Sequence, residues 1–241
     1  MANEQHIASA FDRDLEAIQA QIMKMGGLVE AAIRNAAQAL ETRDEELAAQ
    51  VRTGDLQIDA LEELINTEVA RVLAIRAPTA GDLRTVLSVL KISANLERIG
   101  DYAKNMSKRA SVLAHLTPVE GAAGSVRRMA RVVELMLKDA LDAYMQRNVE
   151  LAADVRARDH EVDQIYNALF RQFLTYMMED PRNITPCMHL HFIAKNTERM
   201  GDHITSIAEQ VIYLVTGHVP DDTRPKIDTV DLESRDTASA S

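Results

Sequence analysis

Apolar residues recur at intervals of three and four along almost the whole chain, and the recurrence breaks five times before fading near residue 217. This 3.6-residue periodicity predicts six helices, at roughly 8–42, 45–76, 80–115, 118–146, 149–179 and 184–216. The breaks carry helix-boundary chemistry. Asp44 and Asn148 are N-cap residues at sharp helix–helix turns, and Ala77-Pro78-Thr79-Ala80-Gly81 and Asp180-Pro181-Arg182-Asn183 separate later pairs. Thr117-Pro118-Val119-Glu120 reads as an N-cap, an N1 proline and a capping-box Glu, which would start the fourth helix at 118. Gly26-Gly27 falls inside the first helix, at roughly 1 kcal/mol per Gly relative to Ala, and points to close packing or a kink. The polar stretch GHVPDDTRPKIDTVDLESRDTASAS, from 217 on, has two prolines and no period; the tail 218–241 is expected to be disordered.

The six helices fall into two related halves. At an offset of 104, 11 of the 24 positions from 36 to 59 recur unchanged, among them Arg43, Arg52, Asp55 and Asp59 as Arg147, Arg156, Asp159 and Asp163. At an offset of 101, Asn95-Leu96-Glu97-Arg98-Ile99-Gly100-Asp101 matches Asn196-Thr197-Glu198-Arg199-Met200-Gly201-Asp202 at 5 of 7 positions. The expected fold is all-α: two tandem, pseudo-symmetric three-helix bundles, over 1–116 and 117–217.

Composition narrows the function. The 241 residues are 46% hydrophobic but only 4% aromatic, with no Trp, which disfavours all-β folds. Asp and Glu outnumber Lys and Arg by 37 to 27 and no basic patch is clustered, so nucleic acid is not the expected partner. A single Cys, Cys187, excludes a disulfide framework or a Cys-rich metal site. With no apolar run of 18 residues and no secretory n-region or h-region at the start, a soluble cytoplasmic protein is expected.

Four acidic pairs stand out at i, i+4 spacing: Asp55/Asp59, Glu97/Asp101, Asp159/Asp163 and Glu198/Asp202. That spacing puts both carboxylates of a pair on one helical face, about 5–6 Å apart at Cβ, where like charges repel. Helical steps back from Glu97 reach Ala94, Ser93, Leu90, Val86 and Leu83, so the acids are expected to continue the core-facing stripe; steps on from Asp59 reach Glu62, Ile65, Val69 and Val72. Asp59 and Glu97 both lie 19 residues from Pro78, and Asp55 and Asp101 both lie 23 away. In a hairpin turning at Pro78 the two pairs sit level. The second half repeats the alignment about a midpoint between Asp180 and Pro181.

With helix axes about 8–10 Å apart, four carboxylates per half can converge. No Lys or Arg offers an obvious neutralising partner, since Arg98 and Arg199 point sideways from the Glu they follow. Metal cations then balance the charge, and an all-oxygen donor set favours Mg, Mn or Fe. The expected ligands are Asp55, Asp59, Glu97, Asp101, Asp159, Asp163, Glu198 and Asp202. His189 and His191 point about 200° apart and cannot chelate together; His191, two turns before Glu198, reads as a packed or surface residue or an outer partner of the site. His160 and His203 face elsewhere, Cys187 is a core residue, and the Met residues fill the core. No nucleophile–base signature, phosphate-cradling loop or dinucleotide fingerprint occurs.

The segments AFDRDLEAI and KMGGLVE, PTAGDLR (Pro78–Arg84), LERIGDYAKN (Leu96–Asn105), LTYMMEDPR (Leu174–Arg182) and TERMGDHITSIAE (Thr197–Glu209) together closely resemble the PhoU family of bacterial phosphate-uptake regulators. The resemblance implies two three-helix bundles, a homodimer, and metal motifs that match the four acidic pairs position for position, with iron, zinc, Mg or Mn as the metals. It implies a negative regulator of phosphate uptake and phosphate-starvation signalling. Such a regulator couples the phosphate ABC transporter, through its ATPase subunit, to a phosphate-sensing histidine kinase, and meets the membrane only peripherally through these partners. The sixth helix has Asn183-Ile184-Thr185 where the third begins Asp82-Leu83-Arg84, so a role tied to Asp82 or Arg84 belongs to one half. A non-enzymatic metal-binding adaptor is the expected function. The alternatives are a carboxylate-bridged dimetal enzyme, for which the Glu-x-x-His motif is missing, and a structural helical adaptor without metal.

Overall fold

A computed structural model describes residues 2–76 and 80–220. Six helices follow one another: α1 (Ala2–Thr42), α2 (Glu45–Arg76), α3 (Ala80–Leu113), α4 (Ala122–Gln146), α5 (Val149–Glu179) and α6 (Ile184–Thr216), with one 3-10 turn at Pro181–Asn183. No strand occurs among the described residues. The turn at Pro78 and the tail from 221 on, expected to be disordered, lie outside them.

Each helix buries the stripe its period sets out. Along α1 the buried positions are Ile18, Ile22, Met25, Val29, Ile33, Ala36 and Leu40; along α6 they include Ile193, Met200, Ile204, Ile207 and Val211. Helices α1, α2 and α3 pack on one another, as do α4, α5 and α6. The halves join through α1 against α4 and α3 against α6, while α2 and α5 touch only helices of their own half among the described residues. Two outer hairpin arms, α2 and α5, thus flank a shared four-helix centre.

Gly26 marks that centre. A Cβ built on it would lie 2.4 Å from Leu141 Cδ1 of α4, whereas one on Gly27 would meet nothing within 4 Å. Close packing of α1 on α4 therefore accounts for Gly26, and Gly27 has no such role. Beside this contact, Glu134 of α4 accepts from Arg34 of α1 (3.1 Å) and from Arg131 (2.8 Å).

The N-caps form as expected: Asp44 Oδ1 accepts from Leu47 N (2.9 Å) and Asn148 Oδ1 from Leu151 N (3.0 Å). The expected start of the fourth helix at 118 is displaced. Residues 114–121 form a loop, and α4 begins at Ala122 after Gly121, which is left-handed at φ 71°. Gly121 O takes both the backbone N–H (3.2 Å) and the hydroxyl (3.0 Å) of Ser125, and no side chain caps the first turn. Thr117, Pro118 and Val119 instead line a small cavity with Leu40, Leu113, Pro186 and Leu190 and close the end of the bundle.

Candidate metal centre

The acids lie where a glycine lets the two helices of the α2–α3 and of the α5–α6 hairpin come close. A Cβ on Gly100 would stand 3.0 Å from Ile58 Cδ1 and 3.6 Å from Asp55 Oδ1; one on Gly201 would stand 3.0 Å from Asp159 Oδ1 and 3.5 Å from Val162 Cγ1. Asp55 and Asp159 are thus pressed against the backbone of the opposite helix, level with Glu97/Asp101 and Glu198/Asp202 respectively. The cross-hairpin register read from the chain is the one the fold adopts.

Within each quartet the acids run from buried to open. Asp55 and Asp159 are buried, Glu97 and Glu198 are half-buried, and the outermost positions, Asp59 and Asp202, are exposed. On α2 and α5 the buried line runs through Asp55 and Asp159 as expected, whereas on α3 and α6 the acids sit at the rim of the core stripe. The buried line of α3 is Val86, Val89, Ile92, Leu96 and Ile99, whereas Leu83 and Ala94, expected to share it with Glu97, are exposed. The physical reason on α3 is the width of the stripe: a face in contact with α1, α2 and α6 is broad, and Glu97 falls at its edge, while the buried Asp55 is paired with Lys104.

Proton affinities record the crowding. Burial, then the Asp101 charge, pushes the Glu97 carboxyl up to about 7, with Glu62 adding to the rise and Arg98 opposing it. Burial also raises Asp59, helped by the Asp55 and Asp101 charges and opposed by Lys104. Glu198 is raised by burial, opposed by Lys195, and raised further by the charges of Asp202 and Asp163. These couplings cross the hairpin gap, from α3 to α2 and from α6 to α5.

A neutralising cation is present after all in the first quartet, contrary to the expectation that no Lys or Arg is placed to help. Lys104, one turn beyond Asp101, spans the gap: its Nζ is ion-paired with Asp55 Oδ2 and lies 3.3 Å from Asp101 Oδ1. The hydrogen bond to Asp55 holds the ammonium well above its ordinary pKa. In the second quartet Lys195 reaches Glu198 Oε1 at 2.6 Å from the preceding turn, and Glu198 Oε2 is buried without a hydrogen-bond partner. Arg98 is mostly exposed and only grazes Glu97 (3.5 Å) and Asp101 (3.8 Å), as its sideways direction implied. Among the described residues no three His, Cys, Asp or Glu side chains close on one point as a metal-ligand set.

The remaining candidates are spread elsewhere. His191 sits among Tyr166, Phe170 and Phe192, with ring centroids 5.3–6.0 Å away, and burial lowers its pKa. His189 faces Arg109 across the α3–α6 seam (3.4 Å), His203 pairs with Asn95 (2.8 Å), and His160 pairs with Gln164 (2.8 Å). Cys187 is a buried core residue. Lys104 was legible in principle. An i, i+3 partner of Asp101 on the helix face turned to α2 can reach across, but the chain alone does not say which way its four-carbon stem runs.

Comparison with known proteins completes the picture. A family model described as the PhoU domain matches the chain twice, over residues 22–110 and 126–211. The chain is similar to the phosphate-specific transport system accessory protein PhoU homolog of Caulobacter vibrioides, at 43% identity over 94% of this chain and 98% of that one. It is 44% identical to the homolog of the same description from Rhizobium meliloti, over 92% and 94% of the two chains. The crystal structure of PhoU from Pseudomonas aeruginosa superposes with a TM-score of 0.83 at 40% identity, covering 86% of this chain and all of that one. The phosphate transport system regulatory protein PhoU from Streptococcus pneumoniae does so with a TM-score of 0.80 at 28% identity, covering 88% and 99%.

Proposed function

The chain belongs to the PhoU family, and on that premise we propose that it is a non-enzymatic negative regulator of phosphate uptake and of phosphate-starvation signalling. A regulatory role in phosphate transport accords with the relatives, which are accessory or regulatory proteins of phosphate transport systems. The finer reading is an adaptor: a cytoplasmic homodimer that meets the ATPase subunit of the phosphate ABC transporter on one side and a phosphate-sensing histidine kinase on the other. No described helix is long and apolar enough to cross a membrane, which accords with peripheral attachment through such partners. The observation that carries the proposal is the doubled family match laid over a bundle whose concentrated chemistry is two acidic hairpins.

Metal binding is the second part of the proposal. The donor set is of the kind a hard cation takes: all its atoms are carboxylate oxygens, Glu198 Oε2 is buried with no donor of its own, and burial together with the Asp101 charge keeps a proton on Glu97 to near neutrality. Asp55, Asp59, Glu97 and Asp101 would hold a cation in the first half and Asp159, Asp163, Glu198 and Asp202 in the second, with Mg, Mn, Fe or Zn as candidates. Bound there, a cation supplies charge neutralisation and a crosslink between adjacent helices. The chain's own residues set the level of the carboxylates, through Gly100 and Gly201, and keep one Asp of each quartet out of water.

The test is genetic and chemical together. In cells lacking the chain, a phosphate-starvation reporter should be on in phosphate-rich medium. The native chain should silence it, and the double variant Asp101→Asn/Asp202→Asn should do so less well while losing bound metal. A reporter that stays silent without the chain would end the regulatory reading; unchanged metal content in the double variant would end the site assignment.

A further inference from the structure

Both hairpins descend from one repeat, yet the second leaves a double row of large apolar side chains open beside its seam. On α5, Phe170, Leu174 and Met178 step by four toward the turn; on α6, Ile184, Met188 and Phe192 step by four away from it. All six are 40% or more exposed. They lie 11, 7 and 3 residues either side of Pro181, which sets Phe170 level with Phe192, Leu174 with Met188 and Met178 with Ile184. His191 joins the rows, its ring 5.3 Å from Phe170 and 5.8 Å from Phe192. One repeat earlier the α5 row reads Asn66, Ala70 and Ala74, and Lys91 stands for Phe192; Leu83 and Leu87 alone stay apolar. Folding of this hairpin therefore does not require the double row, and a contiguous exposed apolar surface marks an interaction site.

The charges around the rows say what covers them. Arg109 of α3 lies over the Phe192 ring (4.2 Å) and reaches His189 (3.4 Å), Arg171 follows Phe170 on α5, and Arg199 lies two turns beyond Phe192 on α6. Among the described residues none of these three arginines has a carboxylate partner, although the chain carries 37 acids to 27 bases. We propose that this face of the α5–α6 hairpin docks an amphipathic helix of another protein. The apolar stripe of that helix enters the seam between the rows, and its flanking Asp and Glu side chains meet Arg109, Arg171 and Arg199. Two helix axes about 8–10 Å apart offer a groove for a third, and the methionines in both rows adapt to its side chains. A second copy meeting the same face would set arginine against arginine. An anionic lipid surface would meet a chain of net charge −10, with the second acidic quartet continuing this face through Tyr166, Lys195 and Glu198. The inference takes from the regulatory reading only that a partner exists, and it needs no bound metal.

Site-directed photo-crosslinking of the full-length chain in phosphate-rich cells tests this. Benzoylphenylalanine placed at Leu174 or at Met188 should trap one segment of another protein, and at Ala70, the first-half counterpart of Leu174, should not. Tandem mass spectrometry of the adduct should show a helical period of apolar residues flanked by Asp and Glu. That segment, made as a peptide, should bind the purified native chain saturably. Arg109→Glu/Arg171→Glu should weaken it at least about tenfold, and so should Phe170→Asn/Leu174→Ala/Met178→Ala, which installs residues the first hairpin already carries. Circular dichroism checks that each variant is folded; should the arginine variant fail, the triple variant decides. No adduct, an adduct with a second copy or with lipid, a basic trapped segment, or a peptide bound equally by native chain and triple variant overturns the inference. A triple variant that still silences the starvation reporter and yields no adduct leaves the regulatory reading intact. A reporter that is silent without the chain removes that reading, whatever the adducts show.

Discussion

Arg43 and Arg147 stand one repeat apart and both hold the left-handed backbone conformation, at φ 58° and 51°. Each ends the first helix of its half, one residue before an Asp or Asn that caps the next helix. The same tight reversal has therefore been kept twice with a residue that finds it uncomfortable. The two arginines differ in what they gain. Arg43 Nη2 donates to Ala114 O (2.5 Å) and Leu116 O (2.7 Å), pinning the loop that follows α3, while Arg147 serves as the C-cap of α4.

Arg147→Gly should consequently stabilise the protein by about 0.5–1 kcal/mol, since Gly adopts this conformation without the Cβ penalty. Arg43→Gly should not, because the relief is offset by two lost hydrogen bonds to the loop after α3. Urea midpoints of the two variants, compared with the native chain, decide between these outcomes.

Adjacent glycines in α1 should behave in opposite ways. Gly27→Ala adds a methyl into open space and removes a helix-interior glycine, for a gain of about 0.5–1 kcal/mol. Gly26→Val drives its side chain into Leu141 and should cost about 1–3 kcal/mol through overpacking of the α1–α4 contact. Equal effects at the two positions would contradict the tight seam.

Stability of the metal-free protein should depend on Glu97. Its folded pKa, about 7, lies above the ordinary 4.5. The folded chain therefore keeps a proton that the unfolded chain releases in this window. The contribution of Glu97 is full below about pH 4.5 and is lost as pH rises to 7, by about 1–2 kcal/mol after allowance for its partial exposure. Denaturant melts of Glu97→Gln should match the native chain near pH 4.5 and exceed it at pH 8. A constant difference across that range would show that the carboxyl does not titrate as its surroundings dictate.

Cations should raise the melting temperature of the chelator-treated chain. Binding to the folded state alone adds RT ln(1 + [L]/Kd), about 2.7 kcal/mol at a hundredfold excess over Kd. The gain should be abolished by the double variant Asp101→Asn/Asp202→Asn and should shrink as pH falls through 7, because protons on Glu97 and its neighbours compete with the ion. No shift with Mg²⁺, Mn²⁺, Fe²⁺ or Zn²⁺ would favour a metal-free structural adaptor.

Much of this molecule was readable from local patterns. The boundaries of α2, α5 and α6 follow from period and breaks, and the level placement of Asp55 with Asp101 and of Asp159 with Asp202 follows from counting to the turns. The start of α4 was not readable, because Thr117 and Pro118 have the right types for a cap and an N1 position but are used, with Val119, to close the bundle end beside Leu113 and Pro186. Nor was the edge position of Glu97 legible: one helix period cannot tell the centre of a stripe from its rim when three neighbours, α1, α2 and α6, pack on it.

The chain by itself determined the six helices, their duplication and the meeting of acids across each hairpin. All of these depend on spacing along one helix or symmetrically about one turn, which geometry at 1.5 Å per residue converts directly into position. Tertiary structure decided what faces the acids: that α1 presses on α4 through Gly26, that α3 shares its face among α1, α2 and α6, and that Lys104 bends toward Asp55. The physical reason is reach. A lysine stem can turn toward any of several neighbours, and only the packed surroundings choose which carboxylate receives its charge.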